Sequence, residues 1–166
     1  MKAITRLFLV LLIFETNFGC TSKTEKYPLD FGFKVVSETA IINSFDSTYL
    51  RKYREADSVI KIQFSNDELQ KIYDKIIEKG LDKYPDNFCP NCRIMRIPSS
   101  ETILQFKIND KTKNLTYKFD CRYFPVIGYF KTRKHNKINQ AITLINNIVN
   151  NEPRVKKLSS SNLIFY

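Results

Sequence analysis

Three stretches of this chain place an apolar residue at every second position. Ile60, Ile62 and Phe64 alternate with Lys61 and Gln63, Leu104, Phe106 and Ile108 share a second face, and Leu115, Tyr117 and Phe119 share a third. A strand patterned in this way has one face that must be covered and one that can meet water. Segments 31–36, 40–45 and 48–53 read as further short strands with turn residues between them. Together they predict an antiparallel meander.

Two helices supply the cover. Ser65-Asn66-Asp67-Glu68 is a capping box, in which Ser65 accepts from the amide of residue 68 and Glu68 reaches back. Leu69, Ile72, Tyr73 and Ile76 then recur at helical spacing, and Gly80 supplies the stop. A second helix is predicted over 134–150, with Ile138, Ala141, Ile142, Ile145, Ile148 and Val149 as its apolar stripe and Pro153 beyond its end. Polar residues 109–114 make a hairpin of 101–120. Segment 81–100, with three prolines, and segment 121–130, rich in aromatics, read as irregular, with a short strand at 126–130. The last four residues, 163–166, are apolar and are expected to dock as an edge strand. The expectation is one α+β domain over 31–166, an antiparallel sheet of about five or six strands with two helices packed on one face.

The start of the chain has a different character. Lys2 and Arg6 precede an unbroken apolar run at 7–14, and Gly19 and Cys20 follow. Basic start, apolar middle and small residue before the cut are the layout of a secretory signal. A run this short cannot span a bilayer, which takes roughly 20 residues. A cysteine just after the cut resembles the lipobox of bacterial lipoproteins, although Asn17 and Phe18 depart from its preferred residues. The resemblance implies that residues 1–19 are removed and that Cys20 becomes the lipid attachment site. Residues 20–30 would then be the lipidated N-terminus and tether, and the protein would be anchored in the cell envelope, exported from the cytoplasm. Two or more acyl chains hold a protein stably at a membrane, each buried methylene contributing about 0.8 kcal/mol.

The formal net charge is +10. Such a surface favours anionic partners such as lipid head groups, an acidic glycan or nucleic acid, and an envelope protein is a further candidate partner. Export argues against nucleic acid. The four glycines lie far apart, which excludes a P-loop and a dinucleotide fingerprint, because both need clustered glycines.

Cys89-Pro90-Asn91-Cys92 is the sharpest local motif, and Cys121 is the remaining cysteine of the mature chain. Three readings are open. A redox pair needs a helix after the first cysteine to lower its pKa, and residues 93–98 do not read as one. A zinc site could combine Cys89, Cys92, Cys121 and His135, but it lacks a second matching cysteine pair and exported proteins tend to oxidise their thiols, so no cofactor is expected. A structural disulfide is favoured, because exported cysteines pair. Closing the loop from Cys92 to Cys121 would contribute roughly 3–4 kcal/mol in the chain-entropy account, and the pairings Cys89–Cys121 and Cys89–Cys92 stay open. His135, the one histidine, lies among Lys131, Arg133, Lys134 and Lys137 and reads as a solvated surface residue. Those four cations are candidates for an anionic surface, and they fall at the predicted start of the second helix, the unfavourable end for positive charge. Asp82 with Asp86, or Asp110 with Asp120, have no fixed separation in sequence and so carry no glycosidase assignment. The functional expectation is a membrane-anchored, non-enzymatic binding or accessory module with no catalytic residues and no metal. The alternative is a thiol-disulfide or metal-handling protein using Cys89, Cys92 and Cys121.

Overall fold

The computed structural model describes residues 25–89, 93–94, 100–119, 121–122 and 125–163, the backbone alone for 93–94, 121–122 and 125–132. The signal segment, Cys20 and Cys92 lie outside the described residues. The domain is α+β, as its patterning predicts. Its elements are β1 (Gly32–Val36), β2 (Ala40–Asn43), β3 (Thr48–Arg51), β4 (Ser58–Lys61), α1 (Asn66–Glu78), β5 (Asn87–Phe88), β6 (Arg93–Ile94), β7 (Glu101–Ile108), β8 (Lys111–Lys118), β9 (Cys121–Arg122), α2 (Pro125–Asn151) and the single turn α3 (Pro153–Lys156).

The main sheet has seven strands in the order β4-β3-β2-β1-β7-β8-β5, more than the five or six expected. The additional strand is β5, two residues of the segment that reads as irregular, added in parallel to the edge of β8. A second ribbon pairs β6 with β9 and sets Ile94 opposite Cys121. The other pairings in the main sheet are antiparallel.

Register divides the sheet cleanly. One row runs Ile60, Tyr49, Ile42, Val35, Leu104, Leu115 across six strands. All but Ile60 are buried, and they join Ile72, Ile76, Ile138, Ile142 and Ile145 of the helices in one core. The adjacent row, Val59, Leu50, Ile41, Val36, Ile103, faces the other way, with Val59 and Ile103 exposed. A one-residue slip would exchange the two rows, so burial fixes the register.

The helix ends follow their chemistry. The Ser65 hydroxyl accepts from the Glu68 amide at 3.3 Å, and the Glu68 carboxylate accepts from the Ser65 amide at 2.8 Å. Gly80 leaves α1 at φ +64°, a left-handed conformation that costs glycine little. The second helix begins at Pro125 rather than near residue 134. Proline suits the first helical position, where its missing N–H would be unsatisfied in any case. Residues 126–130 are therefore helical, not a strand.

The β7–β8 turn is two residues, Asn109 and Asp110, both at positive φ. The Asp30 carboxylate accepts from both of their amides, at 3.1 and 2.7 Å. Those bonds, that from Asp110 first, hold the Asp30 carboxyl below its ordinary pKa. The segment leading to Asp30 also lies on α1. Tyr27 donates its amide to Gln70 at 3.1 Å and its hydroxyl to Asn66 at 2.8 Å. At the other end, residues 158–162 run against β3 and the residues after it, while the edge strand expected at 163–166 falls, but for Leu163, outside the described residues.

Adjacent residues on β7 test this division of faces. Leu104→Ala is expected to cost about 2–5 kcal/mol of unfolding free energy in urea denaturation. Ile103→Ala, one residue earlier on the open face, is expected to cost about 1 kcal/mol or less. Equal costs would contradict the register.

Candidate ligand-binding site

A cavity opens where the sheet's helix-facing row meets the end of α2. Val35, Ile42 and Tyr49 make its floor, and Arg51 follows Tyr49 on the same face of β3. The β1–β2 turn supplies Ser37 and Thr39, with the Ser37 hydroxyl accepting from the Ala40 amide at 3.0 Å. The far wall is Asn146, Val149 and Asn150 of α2, and the tail closes it with Ser160 and Ser161. Its volume is about 440 Å³, within the range of roughly 300–1,000 Å³ usual for small-molecule sites.

The helix explains the void. Ile138, Ile142, Ile145 and Val149 fill the space above the sheet, but Asn146 and Asn150, one turn apart, border that stripe with short amides. The strands beneath them contribute apolar side chains, so hydroxyls, amides and one guanidinium rim an apolar base. Among the described residues no Asp or Glu lines the cavity.

Arg51 is held in place by its neighbours. Its Nε donates to the Tyr49 hydroxyl at 2.8 Å, and its Nη1 donates to the carbonyls of Leu158 and Ser159 at 3.1 and 2.8 Å. The tail is fixed further by the Tyr53 hydroxyl donating to the Ser159 carbonyl at 2.8 Å and the Ser161 hydroxyl donating to the Lys52 carbonyl at 2.6 Å. A shallower depression of about 530 Å³ lies on the other side of the tail and mixes Glu55 with Lys157. A third, of about 220 Å³, gathers Asp82, Lys111 and Lys113 beside Phe106.

The residues singled out in the sequence lie elsewhere. Cys89 is exposed after β5, close to Lys118, whose ammonium is held above its ordinary pKa by Glu101 first and by Cys89 in smaller part. Cys121 lies in β9, and its pairing with Cys92 falls outside the described residues. Among the described residues no cluster of His, Cys, Asp or Glu could hold a metal ion. Asp86 pairs with Lys113 at 3.0 Å and Asp110 with Lys107 at 2.9 Å, while Asp120 lies outside the described residues.

Two expectations are corrected. His135 is buried, not solvated. Its ring stacks on Tyr117 at 4.3 Å, and its Nε2 accepts from the Lys118 amide at 2.9 Å. The basic stretch does not begin a helix either. With α2 starting at Pro125, Lys131, Arg133, Lys134 and Lys137 lie in its second to fourth turns, beyond the first turn over which the helix dipole acts. Arg133 and Lys134 are exposed, and Lys134 carries its ammonium 5.9 Å from the Tyr84 ring.

Among the described residues no helix is long and apolar enough to cross a membrane. No family model matches the chain, and no curated protein is similar to it. The cavity residues escaped sequence reasoning because they come from five separate segments. One trace was legible: Asn146 and Asn150 recur at helical spacing beside an otherwise aliphatic stripe.

Burial holds the His135 pKa below its ordinary value of 6.5. As pH falls, the unfolded chain therefore binds the proton before the folded one does. Stability is full above the unfolded value and declines as pH drops from there through the lower folded value. The urea midpoint is expected to fall between about pH 7.5 and about pH 5.5, and His135→Gln to remove most of that fall. An unchanged fall in the variant would contradict the neutral, accepting imidazole.

Proposed function

We propose that this chain is a bacterial envelope lipoprotein, tethered through an acylated Cys20, whose domain is a non-enzymatic binding module with its ligand seat at Arg51. The observation that carries the binding reading is the cavity itself: an apolar floor with convergent polar groups and a guanidinium fixed by its neighbours. That combination suits holding a small polar molecule in one orientation. Among the described residues the lining contains Ser, Thr, Tyr, Asn and Arg but no His, Cys, Asp or Glu, so the common general bases are not gathered among them. The anchor rests on the basic, apolar and Gly19-Cys20 order of the first twenty residues.

Native mass spectrometry of the protein extracted from membranes in detergent tests both parts. The mature chain is expected to begin at Cys20 with added acyl mass. It is also expected to carry, or to take up from a cell extract, a small molecule that is released chemically unchanged. A chain that begins elsewhere without acyl mass contradicts the anchor. A chain that holds no small molecule, or releases an altered one, contradicts the binding reading.

A further inference from the structure

Taking the cavity as the ligand seat proposed above, its chemistry follows from Arg51, the one cation among the described residues of its lining. Three of the five N–H donors of Arg51 are spent, on the Tyr49 hydroxyl and on the carbonyls of Leu158 and Ser159. Both N–H groups of Nη2 have no partner among the described residues. No carboxylate reaches ion-pair distance of Arg51 among those residues either. All three of its acceptors are neutral oxygens, so they orient the guanidinium without neutralising it. A half-buried guanidinium held in one geometry and lacking a counter-charge is preorganised for an oxyanion, and charge-assisted bonds are about twice as strong as neutral ones.

The size of the charge is set by the opposite wall. Asn146 and Asn150 belong to the last turns of α2, which ends at Asn151. A helix C-terminus carries the equivalent of about half a negative charge. One guanidinium facing that end matches a monoanion, whereas the second charge of a phosphate would meet no second cation among the described residues of the lining. Hydroxyl or amide groups on the ligand would find the amides of Asn146 and Asn150.

We infer that the cavity binds a small monocarboxylate bearing further amide or hydroxyl groups, its carboxylate on Nη2 of Arg51 and its polar groups toward Asn146 and Asn150. The probes are N-acetylalanine, its neutral counterpart N-acetylalaninamide, and inorganic phosphate. Each is titrated at constant ionic strength into the full mature protein while the amide resonances of residues lining the cavity and the Arg51 Nε–H are followed by NMR. The acid is expected to give saturable shifts at Tyr49, Asn146 and Arg51 and to bind at least about tenfold more tightly than the amide or phosphate. Arg51→Gln is expected to abolish that preference. Because Arg51 also holds the tail, the comparison of acid with amide on the unaltered protein stands independently of how the variant folds. Equal binding of acid and amide overturns the monoanion assignment and leaves the cavity a binding site. Tighter binding of phosphate, or no saturable shift with the acid up to tens of millimolar, also overturns it.

Discussion

The domain depends on one contact above the others, the laying of the aliphatic stripe of α2 over the central strands. Ile138, Ile142, Ile145 and Val149 meet a row that crosses β2, β1, β7 and β8 through Ile42, Val35, Leu104 and Leu115, and all eight are buried. The hydrophobic effect stabilises each such side chain by about 1.5–3 kcal/mol relative to exposure. That contact sets the register of the sheet, because only one parity puts the aliphatic row inward. It also sets where α1 can lie, against the remaining width of the sheet, with Ile72 and Ile76 inward.

The cavity is a consequence of the same contact reaching its end. Aliphatic residues continue along α2 to Val149, but Asn146 and Asn150 flank the final turn, and the sheet below ends in Tyr49 and Arg51. What closes the gap is the tail, which packs on the core through Leu158 and beyond it is attached by polar bonds. Arg51 and Tyr53 donate to its carbonyls, and Arg54 donates its amide to the Asn162 side chain at 2.9 Å. A site walled by a packed helix, a packed sheet and a strap that beyond Leu158 is attached by hydrogen bonds joins a fixed frame to a wall that can open at lower cost.

The fold was legible because its signals are local. Alternation at 60–64, 104–108 and 115–119 and helical spacing at 69–76 and 138–149 are each complete within one segment, and the capping box at Ser65 needs four residues. The misread parts depend on distant partners. The two-residue β5 is a strand only because β8 offers an edge, and the helix that begins at Pro125 runs unbroken into the stripe at 138–149, a continuity that no local pattern at 125–133 signals. His135 sits among lysines in sequence, yet the helical turn directs it to Tyr117 while Arg133 and Lys134 point outward. Charge neighbours along the chain say little about burial when the period is 3.6. The cavity was least legible, since Ser37, Arg51, Asn146 and Ser161 meet only after folding.

Native-state hydrogen exchange measures directly whether α2 and the central strands form one cooperative unit. Amides of Val35, Leu104 and Ile145 should all exchange with the free energy of global unfolding from denaturant titration, while amides of 159–163 exchange at a lower cost. If Ile145 and its neighbours in α2 exchanged far more readily than the strands, the helix would not be the element on which the sheet and the cavity depend.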